Sequence, residues 1–122
     1  MAKKLARTFG CPSEFTLHVL GGKWKTVILC CLEQQSLRYA DLRRLIPALS
    51  DKVLTRRLAD LSERGLVEKG RVASQPREVY VLTPTGKSLG AALVELYLWG
   101  EKHAAVFGVT VGTPPGREAK RA

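Results

Sequence analysis

Apolar positions recur along the chain at helical spacing in five segments and as short β-rich runs in two. Phe15, Leu17, Val19 and Leu20 follow Pro12-Ser13 and precede Gly21-Gly22, which predicts a first helix stopped by glycine. Lys23 to about Gln34 carries the run Val27-Ile28-Leu29-Cys30-Cys31-Leu32, apolar nearly all round, and is expected as the central buried helix. Ser36 to Arg38 reads as a short strand. Tyr39 to Ile46 has Leu42, Leu45 and Ile46 at helical spacing and ends before Pro47. Leu54, Leu58 and Leu61 form one stripe of a fourth helix, with Ser50 as its N-cap, Asp51 in its first turn and Gly65 at its end. Leu66 to Val72 and Arg77 to Leu82 read as two strands joined by the polar loop Ala73 to Pro76. Thr83-Pro84 then opens a last helix that carries Leu89, Leu93, Leu96, Tyr97 and Trp99 and reaches about Phe107.

This order predicts a mainly α fold with a small β-hairpin (α+β): a winged helix-turn-helix with flanking N- and C-terminal dimerisation helices. The expected organisation is a flexible basic arm over residues 1–10, the domain over 11–108 and a flexible tail over 109–122. A module of this kind lays its second helix in the DNA major groove. Opposite the leucine stripe of the fourth helix lie Lys52, Arg56 and Ala59, with Thr55 at the side and Arg57 beside the stripe. Cations suit phosphates, and Arg, Lys and Thr suit base edges. The predicted contact set for double-stranded operator DNA is Ser50, Lys52, Thr55 and Arg56, with Arg57, plus Arg71 and Arg77 flanking the wing.

Charge strengthens that picture. The 122 residues hold 20 Lys+Arg against 11 Asp+Glu, a net charge of +9. From Ser36 to Arg77 ten basic residues face five acidic ones, so this segment holds +5 of the excess. A hydrophobic content of 45% excludes wholesale disorder. No apolar run approaches the roughly 20 residues that span a bilayer, and no secretory segment follows Lys3, Lys4 and Arg7. The expectation is a cytoplasmic protein without a membrane partner.

The last helix carries more apolar surface than so small a core requires, and the first helix is similar. Leu17, Leu93, Leu96, Tyr97 and Trp99 are therefore predicted to join two subunits into a homodimer that presents two recognition helices to a palindromic site. Three cysteines in a reducing compartment argue against a disulfide framework. Cys11 stands at the start of the first helix, where the helix dipole and nearby Lys3, Lys4 and Arg7 favour a thiolate. On composition alone it is a small residue with no role. Cys30 and Cys31 read as buried core. His18 and His103 show no metal-ligand spacing with the cysteines, and no catalytic constellation or cofactor motif is found. Two rival readings remain: a winged helix that binds RNA or protein, and a thiol-based redox enzyme, which the lack of a CxxC motif or a credible base disfavours.

Cys11-Pro12, Gly21-Gly22-Lys23-Trp24, Tyr39-Ala40-Asp41-Leu42-Arg43 and the run Leu49 to Leu58 resemble the HxlR family of bacterial winged-helix regulators. So do Leu61, Gly65-Leu66-Val67, Pro76-Arg77, Val79-Tyr80 and Leu82-Thr83-Pro84-Thr85-Gly86. The resemblance spans about Cys11 to Gly100. It implies a homodimer joined by its first and last helices that binds operator DNA and controls transcription. It also implies that Cys11 senses electrophiles or oxidants, as the matching cysteine does in some members; a small-molecule or electrophile effector is the partner expected besides DNA. The adjacent Cys30-Cys31 pair departs from the family pattern, and the wing is a variable region.

Overall fold

The computed structural model describes residues 7–71 and 77–112. Among these residues six helices and one antiparallel strand pair follow in the order α1 (Pro12–Leu20), α2 (Lys25–Gln34), α3 (Tyr39–Leu45), α4 (Asp51–Glu63), β1 (Val67–Gly70), β2 (Val79–Leu82), α5 (Pro84–Lys87) and α6 (Gly90–His103). A 3-10 turn, Ala104–Phe107, follows α6. The winged helix-turn-helix expected from the sequence is the fold observed.

The core forms where the apolar stripes converge. Leu42 of α3 meets Leu54, Leu58 and Leu61 of α4 and Ile28, Leu29 and Leu32 of α2, with Leu20, Leu66, Val67, Leu82 and Leu93 closing the sides. α2 is the central helix, buried over Ile28 to Leu32, because it lacks a polar face there.

α1 and α2 meet at a bend of 82°. The turn Gly21 to Trp24 makes it, with Gly22 at φ +102° and Trp24 at φ +82°. A tryptophan in the left-handed region is strained by roughly 1–3 kcal/mol. Its half-buried indole packs against the core and lies 5.1 Å from the Lys23 ammonium, contacts that offset the strain. This turn delays α2 by two residues relative to the expected start at Lys23.

α4 has the caps its sequence encodes. The Ser50 hydroxyl accepts from the Val53 N–H at 3.2 Å. At the other end Gly65 adopts φ +75°. Its N–H donates to the Ser62 carbonyl at 3.0 Å, and the Leu66 N–H donates to the Leu61 carbonyl at 3.0 Å, a glycine-terminated double cap. Leu66 is thereby committed to the helix end, so β1 begins at Val67 and not at the expected Leu66.

β1 and β2 pair antiparallel with Val67 opposite Leu82 and Gly70 opposite Val79. Leu37 pairs with Tyr80 on the other edge, through N–H···O bonds of 3.2 and 2.7 Å, which is what becomes of the expected strand Ser36 to Arg38. The wing loop Ala73 to Pro76 lies outside the described residues.

The expected single last helix is two. Thr83 caps α5, accepting from the Gly86 N–H at 3.0 Å. Gly86 lies so close to the residue just before β1 that a Cβ there would sit 2.1 Å from the Leu66 carbonyl oxygen. The chain breaks at Ser88-Leu89 and restarts as α6 at Gly90, where a Cβ would stand 2.5 Å from the Glu33 carboxylate of α2. Phe9 of the expected arm packs on α1, its ring edge-on to Phe15 at 5.6 Å and 5.4 Å from His18. No single described helix is long and apolar enough to cross a membrane.

Candidate nucleic-acid interface

The outer face of α4 carries the basic residues expected there. Lys52, Thr55, Arg56 and Ala59 are exposed, while Leu54, Leu58 and Leu61 are buried behind them. Ser50 is exposed at the tip of the helix, with its hydroxyl already accepting the capping bond. Lys52 and Arg56 make no ion pair or hydrogen bond with the described residues, so both cations remain available to a polyanion.

Arg57 differs from the expectation. Its Nε donates to the Lys23 carbonyl at 2.9 Å and its guanidinium pairs with Asp60 at 3.4 Å, leaving the side chain 24% exposed. The position one residue beyond the outer face turns it toward the α1–α2 turn, and there it ties α4 to that turn. Arg71 and Arg77 are exposed at the two ends of the undescribed wing loop, beside β1 and β2.

A polar clamp absent from the sequence reading sets α3 against α4. Arg43 donates to the Leu49 carbonyl and pairs through Nε with the Asp51 carboxylate at 3.1 Å. The Tyr39 hydroxyl lies 2.7 Å from the same carboxylate and 3.2 Å from the Thr55 hydroxyl. The Thr55 bond alone would lower the Tyr39 pKa, but burial and the Asp51 carboxylate outweigh it and raise it, so the phenol keeps its proton. The clamp also pairs the Asp51 carboxylate with a cation at the start of α4. Behind it, Asp41 accepts from the Arg38 backbone N–H at 3.0 Å and from its guanidinium at 3.1 and 3.2 Å, and pairs with Arg44. Those bonds hold the Asp41 carboxyl down to about 2.

On the opposite side, α1 and α6 leave an apolar face open. Leu17, Leu96, Leu98 and Trp99 are exposed, and a groove of about 710 Å³ runs between the two helices. Trp99 stacks on His103 at 4.5 Å. Leu93, expected at a subunit interface, is instead 4% exposed in this chain's own core, because it points from α6 onto α2. Tyr97 is half-buried and borders a small cavity of about 190 Å³ with Cys30, Leu93 and Leu96.

Cys11 is exposed and Cys30 and Cys31 are buried. Cys11 is the N-cap of α1; its neutral thiol makes no capping bond. The thiolate is favoured, below the usual thiol value, by the Ser13 backbone N–H first, then the Ser13 hydroxyl and the Glu14 N–H. Arg7 is not among these causes; its guanidinium lies 4.8 Å over the Phe9 ring. Lys3 and Lys4 lie outside the described residues. Among the described residues no three His, Cys, Asp or Glu side chains gather to hold a metal ion.

The HxlR-like helix-turn-helix family model matches residues 19–106. The chain is 40% identical over 99 residues to YtcD of Bacillus subtilis strain 168, an uncharacterized HTH-type transcriptional regulator, covering 80% of this chain and 79% of that one. The fold superposes on the redox regulator HypR in its reduced form with a TM-score of 0.71 at 32% identity, covering 80% of this chain and 98% of HypR. It matches quinone-bound YodB from B. subtilis with a TM-score of 0.65 at 30% identity, covering 75% and 99%.

Proposed function

This chain belongs to the HxlR-like helix-turn-helix family of transcriptional regulators, and from that premise we propose that it works as a homodimer that reads a two-fold operator through α4 and is switched by modification of Cys11. The observation that carries the DNA reading is the pair of uncommitted cations, Lys52 and Arg56, on the exposed face of a helix clamped by Tyr39 and Arg43. The open face of α1 and α6, with Leu17, Leu96 and Trp99 exposed, supports the dimer. Arg71 and Arg77 add phosphate or minor-groove contacts from the wing.

Cys11 supports the switch. It is the exposed thiol of the three, and the N–H groups at the start of α1 favour its reactive form. HypR is named a redox regulator and YodB was solved with a quinone, the kind of electrophile a thiolate attacks. An adduct on Cys11 would sit at the first turn of a dimer helix and shift the two α4 helices relative to each other. The experiment treats the folded protein with a quinone, maps the adduct and compares operator affinity with that of Cys11→Ser. Adduct on Cys11 with altered affinity, absent in Cys11→Ser, is expected. Adduct elsewhere, or unchanged affinity, removes the switch and leaves the DNA assignment intact.

A further inference from the structure

Thr55 sets a hydroxyl beside Arg56 on the exposed face of α4, and its proton already has an acceptor in reach. Tyr39 has a single hydroxyl hydrogen. The Asp51 carboxylate, 2.7 Å away, can only accept, so that hydrogen points to Asp51. The phenol oxygen then has only lone pairs to offer Thr55 at 3.2 Å, and Thr55 must be the donor. Arg43, the other charged group on this cluster, pairs with Asp51 through Nε at 3.1 Å and holds it in place.

We propose that this Asp51–Tyr39–Thr55 relay makes Tyr39 a specificity-determining positioning residue, which presents Thr55 to DNA as a hydrogen-bond acceptor and not as a donor. The inference rests on α4 being the reading helix. With its proton turned inward, Thr55 Oγ1 matches the donors of the major groove, adenine N6 and cytosine N4. Donation to guanine N7 or O6, to thymine O4 or to a phosphate oxygen would break its bond to Tyr39. Thr55 thus discriminates at one base pair in each half-site, and α3, which reads no base itself, decides which bases are admitted.

The test selects operators from a randomised duplex pool with the wild-type chain, then measures binding to all four base pairs at each position. Wild type should favour adenine or cytosine facing Thr55 at one position per half-site, by about fivefold for one neutral hydrogen bond. Thr55→Val, which keeps the shape, should lose that preference. Tyr39→Phe should keep affinity for the selected site but admit guanine or thymine at that one position, since Thr55 regains its proton. The double variant should behave as Thr55→Val. The relay is overturned if Tyr39→Phe leaves every base preference unchanged, or weakens all sequences alike as a purely structural loss would. It is also overturned if wild type prefers guanine or thymine there. Lys52→Ala and Arg56→Ala separate the two levels. If both leave selection untouched, α4 is not the reading helix; if both change it while Tyr39→Phe does not, only the relay fails.

Discussion

Replacing Arg57 by alanine should cost stability, whereas replacing Arg56 beside it should cost DNA affinity. Arg57 Nε holds the Lys23 carbonyl at 2.9 Å across 34 residues of sequence. A hydrogen bond from a charged donor contributes about 1.5–3 kcal/mol when buried. Lys23 is exposed, so water can reoccupy its carbonyl, and the contribution falls below that range, to about 1 kcal/mol. The Asp60 pair at 3.4 Å is an i,i+3 surface pair and adds about 0.3 kcal/mol. Lost packing of the alkyl stem brings the total to about 1.5 kcal/mol. At about 4 °C per kcal/mol for a chain of this size, the midpoint of thermal unfolding should fall by roughly 6 °C. The assay is calorimetry of Arg56→Ala and Arg57→Ala at one protein concentration, because a dimer's midpoint depends on concentration, followed by operator titration across a salt series. Arg56→Ala should melt with wild type and bind more weakly. An Arg57→Ala that melts with wild type but binds DNA with a shallower salt slope would return Arg57 to the DNA.

Gly86→Ala should be severely destabilised, by about 3 kcal/mol or more, since its Cβ would meet the Leu66 carbonyl oxygen at 2.1 Å; urea unfolding with a wild-type midpoint would contradict that close approach. Asp41, held to about 2 when folded against an ordinary value of 3.8, contributes stability above about pH 4 that is lost as pH falls toward 2. Asp41→Asn should flatten that acid limb, and an unaltered limb would show that the Arg38 bonds do not persist in solution. Leu96→Glu should give a monomer by sedimentation, because it would bury an unpaired charge between subunits; an unchanged dimer would move the interface away from α6.

The elements whose signals are local were legible in the sequence. Ser50, Gly65 and Thr83-Pro84 act within one turn of their own position, and each caps the helix end expected of it. The leucine stripe put Lys52 and Arg56 on the outer face for the same reason. Features that depend on how one element meets another were not legible. Arg57 lies one residue beyond the outer face, and nothing local reveals that the Lys23 carbonyl waits there. Leu93 and Leu96 sit on the same helix with similar side chains, yet the rotation of α6 on α2 buries one and exposes the other. The relay from Asp51 through Tyr39 to Thr55 joins residues 12 and 16 positions apart and needs the α3–α4 angle to exist. Gly90, where α6 restarts after the break at Ser88-Leu89, approaches Glu33 of α2 closely, again a contact between elements.

The claim on which the account stands is that two copies of α4 read one operator. Hydroxyl-radical footprinting of the purified chain on a selected duplex tests it most directly. Two protected patches related by two-fold symmetry should appear, centred about 34–36 Å apart along one face of the duplex, and both should be lost together in the Lys52→Ala/Arg56→Ala variant. A single unsymmetrical patch, or a footprint that survives that double substitution, would contradict it.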